Sequence, residues 1–162
     1  MSMKIGIIGL GDIATKAYLP VMAKTDLEVH LYTRDTGKLK MVGDRYRFEH
    51  RHETFDSLLG SGINAAFVHT STASHFAVVE ALLNKGIHVY VDKPVTYDLG
   101  TTEKLLSLAE KNGLTLMAGF NRRYAPAYAR LKELKDINMV IMQKNRKSLP
   151  GDVRTVPQSK FR

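Results

Sequence analysis

A chain of 162 residues with 44% apolar side chains has enough apolar surface for one hydrophobic core and too little length for two full domains. No apolar run approaches the ~20 residues that span a bilayer, no signal peptide precedes the first strand-like run, and the lack of Cys excludes disulfides, thiolate nucleophiles and cysteine–zinc sites. The net charge of +8 falls entirely in residues 121–162, where 11 Lys and Arg face 3 Asp and Glu, while residues 1–120 hold 13 of each sign.

With no spanning run, no signal peptide and no Cys, a cytoplasmic location is the default expectation. The basic end suits a phosphate-bearing ligand or is simply a solvated end. No aromatic-interleaved or helix-turn-helix pattern accompanies it, so nucleic acid is not expected as a partner.

Strand and helix signals alternate in chain order. Residues 4–8 are β-branched, bounded by Gly, and read as a buried first strand. Residues 13–23 read as a helix that Pro20 breaks or re-aims. Residues 28–33 form a second strand and 65–69 a later one, with a polar stretch of short strand and loops at 45–53 between them. A helix over 73–85 ends at Gly86, placed for a left-handed cap. A strand at 87–91 follows, then a helix over 101–112 with Leu105, Leu108 and Ala109 on one face, stopped by Gly113. A strand at 114–118, a helix at 126–134 and a strand at 138–144 complete the pass. The alternation predicts an α/β fold: a doubly wound parallel sheet of Rossmann type.

The first turn carries candidate chemistry. Gly9, Gly11 and Ala14 fit G-x-G-x-x-A directly after a strand and at the start of a helix. Gly9 permits the tight turn, Gly11 lets the backbone approach a pyrophosphate, and Ala14 lets the helix pack close to the sheet. The free N–H groups of Asp12 and Ile13 lie at the helix N-terminus, which favours phosphate. The Asp12 carboxylate is expected to point outward. A tight turn without a ligand is the alternative.

The end of the second strand selects the cofactor. An acidic residue there pairs with a ribose 2′-hydroxyl, whereas Arg accommodates a 2′-phosphate. Here the strand runs into Thr33 and Arg34, with Asp35 one residue later. Arg34 favours NADP(H), and NAD(H) remains possible. In the alternative, Arg34 faces solvent and Asp35 is the ribose ligand or a helix cap.

Later segments carry a resemblance. Lys16-Ala17-Tyr18-Leu19-Pro20, the run 67–75 through Thr70, Ser71, Thr72 and His75, the triplet Asp92-Lys93-Pro94, and Gly119-Phe120-Asn121-Arg122-Arg123-Tyr124-Ala125-Pro126 follow one another at familiar spacings. Together with the phosphate loop they resemble the Gfo/Idh/MocA oxidoreductases, in particular the MviM-like branch, over roughly residues 3–152. Asp92 replaces that family's usual Glu.

The resemblance implies roles. Lys93 would be the catalytic lysine beside nicotinamide and substrate, Pro94 would shape its loop through a cis bond, and Asp92, Lys93 and Pro94 would all border the cofactor. Thr70, Ser71, Thr72 and His75 would line the cofactor cleft, and Asn121 and Arg122 would sit near the nicotinamide end. Lys93 follows a strand at the carboxyl edge, where α/β sheets place ligands, and burial beside a cationic ring would make it a useful acid or base. Plainer readings stand beside these: Lys93 as a surface residue, His75 as a packing residue, and Arg122 and Arg123 as solvated. His50 and His52, flanked by Glu49 and Glu53, lack a third helix-borne ligand; they are read as surface residues, and no metal is expected.

Members of that family are usually about twice as long, with a second domain that supplies a D-x-x-x-H motif. The organisation expected here is a dinucleotide-binding domain over 1–121, a linking helix and the first strand of a truncated α+β domain over 122–150, and a disordered tail over 151–162. The strand at 138–144 would then drive self-association, giving a homo-oligomer. The expected activity is hydride transfer between nicotinamide and a hydroxyl-bearing carbon of a sugar, polyol or derivative, weak or absent in so short a chain. The alternative is a non-catalytic NADP(H)-binding sensor.

Overall fold

The computed structural model describes residues 2–136, 138, 139 and 141. The chain divides into two compact units, residues 1–122 and 123–162.

The first unit is a parallel sheet of β1 (Lys4–Ile8), β2 (Glu28–Tyr32), β3 (His50–His52), β4 (Ala65–Val68), β5 (His88–Val91) and β6 (Leu116–Ala118). Its order is β3-β2-β1-β4-β5-β6, the doubly wound arrangement whose strand order reverses beside β1. Near-continuous burial along β1 is what a strand covered on both faces requires. On one face Ile5, Ile7, Val29 and Leu31 pack under Leu19, Leu39 and Val42, from α1 (Leu19–Met22) and α2 (Thr36–Tyr46). On the other, Ile8, Ala66, Val68, Val89 and Val91 pack under α3 (Phe55–Leu59), α4 (Thr72–Asn84) and α5 (Leu99–Lys111) through Leu58, Val79, Leu82, Leu83 and Leu105.

Expected boundaries move by a residue or two. Gly86 takes the left-handed conformation expected after its helix, with φ of +75°, and Gly113, read as a helix stop, does the same at +65°. Pro20 does not break its helix. Residues Ala14–Tyr18 open into a π-turn, with the Leu19 amide bonding the Ala14 carbonyl, and Pro20 enters the first turn of α1. There its missing N–H costs little. Helices α2 and α3 are additions to the sequence reading, and the stretch 45–53 resolves into the end of α2 and β3.

In the second unit, Pro126 opens a short α6 (Pro126–Ala129), which tightens into a 3-10 turn over Arg130–Glu133. The longer helix expected at 126–134 is not formed, because no residue of α6 is buried and packing is what sustains most helices. Of the strand expected at 138–144, only 138, 139 and 141 are described, and none of these is in a strand. The tail at 151–162 lies outside the described residues. Among the described residues no helix is long and apolar enough to cross a membrane.

Candidate active site

At the carboxyl edge of the sheet, β1 ends in a turn that only glycine makes easily. Gly9 has φ +87°, its amide bonds the Tyr32 carbonyl at 2.9 Å, and a Cβ there would lie 2.9 Å from the His69 backbone. Gly11 differs: a Cβ on it would meet nothing within 4 Å. The first position is therefore set by the fold, and the second leaves open space in front of the backbone. Ala14 is fully buried under the helix, and Ile13 is exposed at the mouth of the cleft. The Asp12 carboxylate turns outward to Lys16, 2.6 Å away, and the hydrogen bond from that ammonium lowers its pKa. Only the Asp12 backbone is left for a ligand.

Two adjoining cavities open here. One, of about 460 Å³, runs from Gly9, Leu10 and Gly11 to Thr33, Arg34, Asp35 and Lys38, and touches Ser71 and Ser74. The other, of about 290 Å³, is lined by Tyr18, Thr72, His75, Asp92, Lys93 and Gly119. His69 and Thr70 line both, so they join the phosphate loop to the lysine.

At the far end of the larger cavity the two strand-end candidates separate. The Asp35 Oδ1 accepts the Lys38 amide at 2.9 Å and caps α2. Arg34 is exposed and has no ion pair among the described residues. Lys38 reaches the same cavity from the first turn of α2. Sequence reasoning missed it because the helix carrying it was not foreseen.

Around Lys93 the loops are tied together. The Lys93–Pro94 bond is cis, as the resemblance suggested. His75, 1% exposed, places Nδ1 3.0 Å from the Pro94 carbonyl and Nε2 3.1 Å from the Thr70 carbonyl, strapping the loops after β4 and β5 to each other. It is thus a packing residue that also lines the cleft. Ser74 Oγ donates to Thr70 Oγ1 at 2.9 Å, and Thr70, Ser71 and Thr72 lead into the start of α4. Lys93 itself is exposed, so the burial expected of it is not supplied by the described residues. The backbone of Asn121 and Arg122 enters a 3-10 turn over Asn121–Tyr124; their side chains lie outside the described set.

Four further residues, His69, Tyr18, Tyr90 and Gly119, were given no role of their own in the sequence. His69 Nδ1–H donates to Asp92 Oδ2 at 3.0 Å, since a carboxylate can only accept. The His69 ring lies 4.1 Å from that of Tyr18, whose hydroxyl is 2.7 Å from the Tyr90 hydroxyl. Burial and the Tyr90 hydrogen bond push the Tyr18 phenol pKa well above its ordinary value. Gly119 makes room for this pair, because a Cβ there would touch the Tyr90 hydroxyl. His69 follows β4 and Asp92 follows the adjacent β5, a neighbourhood visible only once the sheet order is known.

These residues fit a dinucleotide. The space before Gly11, the unpaired Arg34 and the buried His69 Nε2, which has no hydrogen-bond partner, are complements that a ligand with phosphate and polar hydrogen would meet.

Comparison with known proteins agrees with this architecture. Residues 3–120 match the model of the oxidoreductase family with an NAD-binding Rossmann fold. YceM of Salmonella typhimurium is 46% identical over 136 residues, covering 81% of this chain and 43% of its own length. A Gfo/Idh/MocA family oxidoreductase from Vibrio cholerae has a crystal structure that superposes with a TM-score of 0.77 at 40% identity, over 82% of this chain and 43% of that one. D-xylose 1-dehydrogenase (NADP(+)) 2 of Haloferax volcanii is 27% identical over 134 residues, covering 82% of this chain and 41% of its own. The chain thus spans less than half the length of the relatives it matches. By the family match and these relatives, the chain belongs to the Gfo/Idh/MocA oxidoreductases, of which it carries the NAD-binding Rossmann domain.

Proposed function

We propose that this chain is the cofactor-holding part of an oxidoreductase that prefers NADP(H) and acts on a hydroxyl-bearing carbon of a sugar, polyol or derivative. The observation that carries the reading is the continuous cleft, in which His69 and Thr70 connect the Gly9–Gly11 turn to Lys93. Arg34 and Lys38 supply positive charge at the end where a 2′-phosphate would lie, and Asp35 uses one carboxylate oxygen to cap α2. NADP(H), when bound, would take up the hydride from the hydroxyl-bearing carbon in its oxidised form or return it to the carbonyl in its reduced form. Lys93, at the opposite end, would hold or release the proton of the substrate hydroxyl, and Asp92 and His75 would fix the loop that presents it. Gly9, Gly11, Ile13, Ala14 and the Asp12 backbone would receive the pyrophosphate, with Thr33 beside the adenosine ribose, Thr70, Ser71 and Thr72 along the cleft wall, and Asn121 and Arg122 toward the nicotinamide. The sugar substrate and NADP named for the Haloferax volcanii relative support the same class.

Residues 1–121 are assigned to cofactor binding and 122–150 to the entry of a second domain. Adding NADPH to isotope-labelled protein and following backbone amide shifts tests the placement. Gly11, Thr70 and Lys93 should shift together and saturate at one equivalent. A response confined to Gly11, with Lys93 unmoved, would remove the lysine from the nicotinamide end.

A further inference from the structure

On the opposite, amino-terminal side of the same sheet, β2 and its outer neighbour β3 bring together side chains that the cofactor cleft does not use. In the parallel register His30 pairs with His50, and Glu28 lies two residues before His30 on the same face. Glu28 Oε1 is 2.9 Å from His30 Nε2 and 3.7 Å from His50 Nε2, and the three atoms lie within 4.8 Å of one another. His50 is a surface residue, as the sequence suggested, and its neighbours here come from the adjacent strand and not from a helix.

From this geometry we infer that Glu28, His30 and His50 form a binding site for one divalent transition-metal ion of the zinc type, which clips the outer strand β3 to β2. Two imidazoles and a carboxylate are a zinc donor set, and bond lengths of about 2.0–2.1 Å would place tetrahedral ligand atoms about 3.3 Å apart, between the 2.9 and 3.7 Å separations of the two histidine nitrogens from Glu28 Oε1. Two ligands start strands held in register, and the His30 and His50 rings are stacked at 4.4 Å, so little ordering is left for binding to impose.

The supporting layer is also in place. His30 Nδ1 is 2.9 Å from His52 Nε2, and His52 Nδ1 is 2.9 Å from Ser57 Oγ. With His30 Nε2 bare to bind metal, its Nδ1–H donates to His52 Nε2, and His52 Nδ1–H donates to Ser57. The ring protons of His30 and His52 then have acceptors without any heavy atom moving, the arrangement that orients metal-bound histidines.

Access comes from the solvent side, where His50 is exposed and a depression of about 480 Å³ is lined by Lys4, Glu28, Gly62 and Asn64. The Lys4 ammonium, 2.9 Å from the same Glu28 oxygen, is the competitor. Being a partly exposed, flexible side chain, it can withdraw into that depression when the ion arrives. Water completes the coordination.

The test is a calorimetric titration of the full chain with Zn²⁺, repeated on two variants. Wild type should take up one equivalent. His50→Ala, at an exposed position, should weaken binding at least tenfold, about the lower loss typical of a supporting partner alone. Lys4→Met should tighten it, a direction that misfolding cannot produce. Absence of a stoichiometric equivalent, or an affinity indifferent to His50→Ala, would overturn the inference.

Discussion

His69 and Asp92 are joined by a 3.0 Å hydrogen bond that ties the end of β4 to the end of β5 directly beside Lys93. The His69 side chain is fully buried, and its other nitrogen has no partner. Asp92→Ala would leave both ring nitrogens unpaired in the core. Loss of a hydrogen bond to a charged group should lower stability by about 1.5–3 kcal/mol, measured by urea denaturation. A change within about 0.5 kcal/mol, the range of an ordinary surface substitution, would mean that the contact does not hold the loop.

The two phosphate-loop glycines should respond oppositely to the same substitution. Gly9→Ala puts a side chain into a positive φ and against the His69 backbone, and should cost about 1–3 kcal/mol of stability. Gly11→Ala meets open space and should leave the melting curve near that of wild type while weakening NADPH binding. Paired thermal melts and cofactor titrations separate the two. A destabilised Gly11→Ala, or one that binds NADPH normally, would be inconsistent with the roles assigned.

Asp35 is expected to act on the helix and not on the cofactor. Because its carboxylate caps α2 through the Lys38 amide, Asp35→Ala should cost about 0.5–2 kcal/mol. The ratio of NADPH to NADH affinity should fall little, if at all. A large swing in that ratio would assign Asp35 to the ribose.

Tyr18 provides an alkaline signature. Its folded-state pKa lies above that of an unfolded tyrosine, so in alkali the unfolded chain loses this proton first. The stabilisation is complete below the unfolded value near 10 and is lost as pH rises toward the folded value. Tyr18→Phe should therefore flatten the decline in melting temperature above about pH 10. Parallel declines in the two proteins would exclude Tyr18 as its source.

Most of the sheet was legible because buried parallel strands are short β-branched runs bounded by glycine, and 4–8 and 87–91 are such runs. Helix α2 was not legible. It carries Gly37 and Gly43, poor helix formers, and exposes Met41 beside its few core residues. Gly43 is explained only in three dimensions: a Cβ there would run into the Arg51 guanidinium, which bonds the Phe48 carbonyl and Asp44 across the helix end. The phosphate loop and the Lys93 triplet could be read because each lies within a few consecutive residues. The His69–Asp92 pair and the Glu28–His30–His50 group could not, since strand order and register create them, and neither is local in sequence.

The central claim, a dinucleotide cleft that selects NADP(H) through Arg34, is tested most directly by fluorescence titration with NADPH and with NADH, on wild type and on Arg34→Ala. NADPH should bind wild type more tightly than NADH does. Loss of a charge-assisted contact of about 1.5–3 kcal/mol should weaken NADPH binding roughly 10- to 150-fold in the variant and leave NADH unchanged. Equal affinity of wild type for the two cofactors, or NADPH binding untouched by Arg34→Ala, would contradict the account.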